Sequence, residues 1–315
     1  MKRFGNPTVS VVIPVFNGAS YLEAAVASVF KSTYRNFEVI LVDDGSSDHS
    51  RRLCHALEKK YRRVRFYTFP QNRGLCRVLN FALEKARGKY ICRLNQDDLM
   101  LPYRIATEVE YLENHRDVMA VGSWIRLFTD EGKSQIVKFT KNDADIRKLW
   151  YIVSPFADPT VMYRKRVAIK AGGYLQAFWP ADDTHLWYRI AQYGKLANIQ
   201  KPLVNVRWHK NAASWKHFKK LAESTFAMHN WTDTYLAKAP WYIHAYWIIQ
   251  YMASMALPPE FIWDFYRLMK RGIALISQGR EALRKIDRRL ARLTSEITQP
   301  TTASRSGVNK RYQVR

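Results

Sequence analysis

Residues 37–48 read FEVILVDDGSSD, a near-continuous apolar run that ends in two acids and a turn. A short apolar run rich in β-branched residues predicts a strand that is buried on both faces. Gly45 marks a turn, and the polar residues that follow it are favoured helix N-caps. The stretch therefore predicts a strand–loop–helix unit in which Asp43 and Asp44 end the strand.

The same alternation continues on both sides of this stretch. Further strands are predicted at 9–16, 64–69, 89–94 and 119–128, and helices at 21–30, 75–86 and 102–114. Such units predict an α/β fold with a mostly parallel sheet and helices on both of its faces. Ligands bind these sheets beyond the carboxyl ends of the strands. Several polar residues fall at those ends: Pro14 with Asn17, Asp43 with Asp44, and Asn95 with Asp97 and Asp98.

The charge of the chain favours an anionic partner. Its 315 residues carry a formal net charge of +24, of which +16 lies in residues 1–239 and +8 in residues 240–315. Phosphorylated substrates, an anionic membrane surface and nucleic acid all fit such an excess, and a solvated basic surface is the alternative. Three cysteines without CxxC spacing support neither a disulfide framework nor a zinc site. Cys92 lies in a predicted strand and is expected in the core.

Four segments together carry a resemblance to a known family. VSVVIPVFNGASYLEAAVASV, FEVILVDDGSSD, NRGLCRVLNFAL and GKYICRLNQDD resemble, in order and spacing, the inverting glycosyltransferases of family 2. DPTVMYRKRVAIKAGGY, PADDTHLWYRIAQYG and VRWHKNAASW are similar to the acceptor-side segments of that family. The resemblance covers about residues 8–215 and implies the Rossmann-like GT-A fold. Residues 1–122 are then expected to form the nucleotide-sugar-binding half, and residues 123–215 the acceptor-side half.

The chemistry of this family explains the residue types. A nucleoside diphosphate leaves with developing negative charge, which a divalent cation and basic groups stabilise. Inversion at the sugar takes one displacement, so a carboxylate must remove the proton of the acceptor hydroxyl on the opposite face. The resemblance implies a nucleotide-sugar donor, UDP-linked by family frequency, and Mg²⁺ or Mn²⁺. It also implies a hydroxyl acceptor in the synthesis of a surface polysaccharide or a lipid-linked glycan.

The resemblance also assigns roles to individual residues. Asp183 matches the catalytic base, and Asp182 and Trp179 fall on the acceptor side. The donor-binding positions are Pro14, Val15, Asn17, Asp43, Asp44, Asn72, Arg73, Asn95 and Asp97. The metal positions are Asp97, Asp98 and His209. Structural alternatives remain open: a strand end for Asp43, a helix cap for Asp97 with Asp98 and for Asp183, a packed surface histidine for His209, and a core position for Trp179.

Two positions depart from the family pattern. Asn95 stands where many members have the first acid of a DxD motif, so one negative charge is missing and Asp97 is expected to do most of the metal binding. Asp158 stands where a histidine is common, which leaves the acceptor side less defined.

The last hundred residues change character and predict a helical extension over 216–297. Residues 241–257 are apolar and aromatic-rich but only 17 residues long, so a buried helix hairpin or an interfacial helix is favoured over a membrane span. Apolar residues then recur at helical spacing between Arg and Lys over 262–293, which fits either a packed helix or attachment to an anionic membrane. Residues 298–315 predict a disordered basic tail.

The N-terminus lacks the apolar run of a signal peptide, which predicts a cytoplasmic enzyme. Attachment of the C-terminal helices to an anionic membrane, the second of the two alternatives for them, would make it peripheral on the inner face of the membrane. Two other readings remain open. One is a polyprenyl-phosphate sugar synthase, and the other is a non-catalytic nucleotide- or nucleic-acid-binding protein that keeps the fold. The joint presence of Asp43, Asp97 and Asp183 favours catalysis, and the basic residues form no recognisable nucleic-acid motif.

Overall fold

The computed structural model describes residues 7–209 and 216–258, all of which fall within one compact unit. The strands are β1 (Val9–Val15), β2 (Phe37–Asp43), β3 (Val64–Thr68), β4 (Tyr90–Arg93), β5 (Leu99–Met100), β6 (Val118–Phe128), β7 (Ser134–Val137), β8 (Met162–Arg164) and β9 (Lys195–Arg207). The helices are α1 (Ala19–Phe30), α2 (Ser50–Lys60), α3 (Leu75–Lys85), α4 (Arg104–Asn114), α5 (Asp143–Leu149), α6 (Lys165–Lys170), α7 (Asp182–Ile190), α8 (Phe218–Tyr235) and α9 (Trp241–Ala256). These bounds confirm the strands and helices predicted between residues 9 and 128.

The N-terminal half of the sheet is parallel and has β1 at its centre. β1 pairs in parallel with β2 and with β4, and β3 extends the sheet beyond β2. Val15 lies opposite Asp43 in this register, so the chain leaves β1 and β2 at the same edge. Asn95, Asp97 and Asp98 follow β4 at that edge. The predicted collection of polar residues beyond the strand ends is therefore confirmed.

The second half of the sheet mixes strand directions. The strand order is β3-β2-β1-β4-β8-β6-β9-β5, with β7 paired to β6. β8 is antiparallel to both of its neighbours, β4 and β6, and β9 is parallel to β6 but antiparallel to β5. The parallel arrangement expected from the sequence thus describes the N-terminal half. β8 enters in the reverse direction and places Asp158, four residues before its start, beside the end of β4.

Helices cover the sheet on both faces, and each face has its own core. α1, α2 and α4 pack around Leu22, Leu57 and Ile105 on one face, whereas α3 and α7 pack around Leu79 and Trp187 on the other. All five of these side chains are buried. Cys92 is also completely buried, which raises the pKa of its thiol to about 12 and confirms it as a core residue.

The region after β9 forms a helical hairpin. α8 and α9 pack against each other, and Ser224 of α8 donates a hydrogen bond to the carbonyl of Trp179 at 2.7 Å. Residues 241–256, within the segment for which a buried helix hairpin or an interfacial helix is expected, thus form a single helix, α9, that packs against α8. In the part of the chain that the structure describes, every helix is too short or too polar to cross a bilayer. The amphipathic segment 262–293 and the tail 298–315 lie outside the described residues.

Candidate active site

The loops that follow β1 and β2 are joined by Asn17. Its φ of 49° lies in the left-handed region, which asparagine tolerates better than most residues. Asn17 Oδ1 accepts hydrogen bonds from the backbone N–H groups of Ser47 at 2.9 Å and Asp48 at 3.4 Å, and the Asn17 N–H donates to Ser46 Oγ at 2.9 Å. Pro14 and Val15 lead into this junction as the last two residues of β1. The loop after β1 is thus fixed against the DDGSSD segment.

Asp43 and Asp44 hold the surrounding loops. Asp43 is fully buried, and its carboxylate accepts from the Ser46 N–H, from Arg51 Nε at 3.2 Å and from Thr68 Oγ1 at 2.9 Å. Asp44 accepts from the N–H of Arg73 at 2.7 Å and of Gly74 at 2.9 Å. Both acids therefore shape the predicted nucleotide pocket, and direct contact of either one with a nucleotide remains a prediction.

The loop that Asp44 holds carries Asn72 and Arg73, both of which are exposed. The guanidinium of Arg73 lies over the ring of Phe69, 5.0 Å from its centroid. Asn72 Oδ1 accepts from the N–H of Gly74 at 3.1 Å. Arg73 is therefore an exposed cation beside the space beyond the carboxyl ends of β1, β2 and β4, which is called the cleft below, and this position suits contact with a phosphate.

Gly45 has no room for a side chain. Its φ of +70° is in the left-handed region, and an added Cβ would lie 2.5 Å from the carbonyl carbon of Gln71 and 2.7 Å from the backbone N of Asn72. Those neighbours are backbone atoms, so only a shift of the loop could relieve the overlap. The glycine of the DDGSSD segment thus sets how closely the two nucleotide-side loops approach.

We expect Gly45→Ala to lower the free energy of unfolding by about 1–3 kcal/mol and to weaken nucleotide binding, because the displaced loop carries Arg73. Denaturant unfolding and nucleotide titration measure the two effects. Gly132→Ala is the matched control, since Gly132 also has a positive φ, of 84°, but an added Cβ would meet nothing within 4 Å. Equal effects of the two substitutions on nucleotide binding would contradict the prediction.

A buried arginine links the two positions that depart from the family pattern. Arg93 at the end of β4 is buried, and its guanidinium donates to Asp158 Oδ2 at 2.5 Å and to Asn95 Oδ1 at 3.0 Å. Asn95 in turn donates through Nδ2 to Asp98 Oδ2 at 3.0 Å. Asn95 and Asp158 thus both accept hydrogen bonds from the guanidinium of Arg93. Sequence reasoning missed Arg93, although a charged residue within an otherwise apolar strand was a signal for a buried ion pair.

Gln96 is a second residue that sequence reasoning missed. Its side-chain amide forms two hydrogen bonds with the backbone of Phe16, accepting from N–H and donating to C=O, each at 3.0 Å. It thereby joins the loop after β4 to the loop after β1 and packs over Gly18. Residues 80 positions apart form this contact, so only the parallel pairing of β1 with β4 brings them together.

The neighbouring acids Asp97 and Asp98 face different surroundings. Asp97 keeps about a quarter of its side chain exposed, and its Oδ2 lies 3.0 Å from Nε2 of His209. Asp98 is buried and accepts hydrogen bonds from the Arg207 N–H at 2.9 Å and from Asn95. Burial, followed by the adjacent Asp97 charge, raises the pKa of Asp98 to about 8. Asp97 and His209 therefore meet at the cleft, whereas Asp98 is turned inward and anchors β9.

Arg207, the last residue of β9, and His209 both contact Asp97. The guanidinium of Arg207 lies over the rings of Tyr21 and Phe128 and donates to the carbonyl of Asp97 at 3.3 Å. The His209 ring lies 5.6 Å from that of Tyr21, and its Nδ1 is buried without a hydrogen-bond partner in the described part of the chain. Across residues 7–209 and 216–258, no cluster of three or more Asp, Glu, His or Cys side chains is arranged to hold a metal.

The second acid pair lies at the start of α7, on the face of the sheet that α3 also covers. Asp182 is buried and hydrogen-bonded to Cys76 in the first turn of α3, and its pKa is raised to about 6, mainly by burial. Asp183 is partly buried and accepts from the Thr184 N–H at 2.6 Å. Burial, the charge of Asp158 and the charge of Asp182, in that order, raise the pKa of Asp183 to about 8.

Asp183 is not the N-cap of α7. The N-cap of α7 is Ala181, which forms no side-chain cap, and Asp183 lies within the first turn. The α3 turn that contacts Asp182 follows directly after Arg73 and Gly74. Asp183 is therefore close to the first turn of α3, which follows the predicted nucleotide loop in the chain. Trp179 lies three residues before α7, half-buried, with its ring against His217 at 4.8 Å.

The family of the chain follows from its match to the model of Glycosyl transferase family 2 over residues 10–173. The chain belongs to this family. Among its family 2 relatives, the O-antigen biosynthesis glycosyltransferase WbnJ of Escherichia coli is 30% identical over 211 residues, which is 65% of this chain and 81% of WbnJ. The amylovoran biosynthesis glycosyltransferase AmsE of Erwinia amylovora is 28% identical over 63% of this chain and 75% of its own length.

Solved structures confirm the GT-A fold of this family 2 glycosyltransferase. Residues 1–349 of S. aureus TarS in complex with UDP-GlcNAc superimpose with a TM-score of 0.61 at 15% identity, covering 78% of this chain and 72% of that one. The mannosyltransferase PcManGT of Pyrobaculum calidifontis, in complex with GDP-Man and Mn²⁺, gives a TM-score of 0.54 at 20% identity, covering 86% and 80%. At these identities the likeness establishes the fold alone.

Proposed function

We propose that this chain is an inverting glycosyltransferase that moves a sugar from a UDP-sugar to a hydroxyl of a surface polysaccharide or lipid-linked glycan. The observation that carries the proposal is the placement of Asp183, a carboxyl with a raised pKa, beside the α3 turn that follows the nucleotide loop. The names of two relatives, which refer to amylovoran and O-antigen biosynthesis, support a polysaccharide acceptor.

The donor is expected to bind over the carboxyl ends of β1, β2 and β4. Pro14, Val15 and Asn17 form one wall of this cleft, and the DDGSSD loop with Asp43 and Asp44 forms another. Arg73 at the rim supplies a positive charge for the diphosphate. The UDP-GlcNAc in the TarS complex supports a uridine nucleotide, whereas the GDP-Man in the PcManGT complex makes guanosine the competitor to test.

Asp97 and His209 fit a divalent cation, but they supply only two of the ligand atoms that it needs. Asp97 and His209 offer one carboxylate oxygen and one imidazole nitrogen 3.0 Å apart, and a metal bound between them would complete its coordination with diphosphate oxygens and water. Such a metal would stabilise the negative charge that develops on the leaving diphosphate. Asp98 and Asn95 are engaged by hydrogen bonds within the protein, so we assign them to holding Asp97 and β9 in place.

The reaction needs one proton acceptor. As the acceptor oxygen bonds to the anomeric carbon and the bond to the diphosphate breaks, Asp183 is proposed to take the hydroxyl proton on the opposite face of the sugar. Trp179, close to Asp183 in the chain, offers an aromatic surface on which an acceptor sugar could stack. The single displacement leaves the transferred sugar with inverted configuration.

A donor panel tests this function. The purified protein is incubated with UDP-, GDP-, dTDP- and CMP-sugars in the presence of Mn²⁺ or Mg²⁺ and a mixture of glycan acceptors, and nucleotide release and product anomer are followed. Turnover of one UDP-sugar with inversion is expected. Turnover with retention of configuration would refute the inverting mechanism, and turnover of a GDP-sugar alone would refute the assignment of the nucleotide.

We expect the activity to rise with pH up to about pH 8, because a general base must be ionised and the pKa of Asp183 is raised to about 8. Below that value kcat/KM should fall about tenfold per pH unit. Asp158→Asn should move this rise of kcat/KM to lower pH, because the charge of Asp158 raises the pKa of Asp183. The pH profile of kcat/KM for both proteins measures the effect. A profile that is flat between about pH 5 and 9 would contradict the assignment of the base.

A further inference from the structure

The outer face of α9 carries a row of exposed apolar side chains. Among the described residues, thirteen large hydrophobic side chains are exposed, and six of them lie between Tyr235 and Leu257. Four are on α9 itself: Trp241, Ile248, Ile249 and Met252, exposed by 75, 49, 46 and 63%. Their spacing places them on one face of the helix. Scattered exposed apolar residues are ordinary, but a contiguous row marks an interaction surface.

The opposite face of α9 is fixed, so the row cannot turn inward. Nε1 of Trp247 donates to the carbonyl of Tyr151 at 2.8 Å, and its ring stacks on His229 with centroids 4.5 Å apart. Tyr251 stacks on Phe226 at 5.0 Å. These contacts bind α9 to α8 and to the segment after α5. The exposed row is therefore a stable feature of the folded unit.

The charges near the row favour an anionic lipid surface over a protein partner. α9 itself contains no Asp, Glu, Lys or Arg. The chain that follows directly after its last turn is strongly basic, with 13 Lys and Arg against 5 Asp and Glu over residues 259–315. Trp prefers the headgroup level of a bilayer, and Lys and Arg bind anionic headgroups. An apolar, Trp-containing helix face that is followed in the sequence by a basic segment has the composition of an interfacial membrane site.

We propose that the outer face of α9 docks on an anionic lipid surface, with Trp241, Ile248, Ile249 and Met252 inserted at the interface. The helix lies on the surface and does not cross it. This docking is independent of which sugar is transferred. It would place the catalytic unit at a membrane, where a lipid-linked acceptor would be found.

Vesicle binding of the full-length protein tests the proposal. Flotation with phosphatidylcholine vesicles that contain phosphatidylglycerol is compared with flotation with phosphatidylcholine alone. The double substitution Ile248→Ser with Met252→Ser should lower the partition coefficient on anionic vesicles about tenfold or more. The matched control is Ile169→Ser, which removes an apolar side chain on α6 that is 54% exposed. Unchanged vesicle binding of the double variant would overturn the proposal.

A site-specific probe shows whether α9 itself meets the lipid. The native cysteines Cys54, Cys76 and Cys92 are all buried, so Met252→Cys can be labelled selectively with an environment-sensitive fluorophore. A blue shift on anionic vesicles is expected, and none for a label introduced by Ile169→Cys. Binding to vesicles without a shift at position 252 would assign binding to another part of the chain and refute docking through α9.

Light scattering and the emission of the label at position 252, both measured without vesicles, test whether a second copy of the chain or another segment of the same chain covers this face of α9. The expected result is a monomer whose label at position 252 remains in water. A dimer that the double variant converts to a monomer would show that a second copy covers the face. A blue-shifted label on the monomer would show that another segment of this chain covers it. Either result would overturn the lipid assignment.

Discussion

Asp183→Asn is expected to lower kcat for sugar transfer about 10²–10⁴-fold while leaving nucleotide affinity within about threefold of the wild type. Removing a positioned general base costs a rate factor of this size. The amide keeps an oxygen that can accept from the Thr184 N–H, so the first turn of α7 should persist. Donor-dependent transfer rates and calorimetric titration with UDP measure the two quantities.

The control for Asp183→Asn is Asp117→Asn, which removes an exposed carboxylate paired with Lys195 on the surface. It should change neither transfer nor nucleotide binding. Thermal unfolding of both variants verifies that they are folded. Transfer by Asp183→Asn within about tenfold of the wild type would show that another group takes the proton. Loss of nucleotide binding would place Asp183 in the donor pocket instead.

His209→Ala and Asp97→Asn are each expected to abolish the increase in UDP affinity that Mn²⁺ gives the wild type. The two side chains are in contact at 3.0 Å, and both are proposed as ligands of one cation. Titration with UDP in Mn²⁺ and in chelator measures the difference without using activity. The variants in Mn²⁺ should bind UDP as weakly as the wild type in chelator.

The double variant separates a shared metal from two independent effects. If both residues bind one cation, the losses from Asp97→Asn and His209→Ala are strongly non-additive. His115→Ala is the matched control, because His115 lies at the end of α4 and stacks on Tyr111. Strictly additive losses, or equal losses in chelator, would contradict a shared metal.

Asn95→Asp is expected to leave the Mn²⁺ dependence of UDP binding within about tenfold of the wild type, although it restores the missing acid of the family pattern. The reason is the buried guanidinium of Arg93, which lies 3.0 Å from Asn95 Oδ1 and would neutralise a new carboxylate there. Titration with UDP at a series of Mn²⁺ concentrations measures the Mn²⁺ dependence of binding for both proteins. A much larger gain in metal affinity would show that the side chain at position 95 turns toward the metal.

The sequence by itself determined the fold class and the edge of the sheet at which the candidate site residues collect. Apolar runs that end in polar residues, such as FEVILVDD, specify buried parallel strands, and their carboxyl ends must meet at one edge. The same local logic predicted the N-terminal helices and the helical character of residues 241–257. These features depend on periodicity and on residues close in the chain, which a single sequence displays.

Only the tertiary structure decided which of the candidate residues face the cleft. Asp97 and Asp98 are indistinguishable as neighbours in the sequence, yet Asp97 meets His209 while Asp98 is buried beneath Asn95 and Arg207. Likewise, Asn95 and Asp158 share Arg93 because β8 enters antiparallel beside β4. These outcomes depend on partners far apart in the chain, whose approach is set by strand order and burial, so no local pattern could have revealed them.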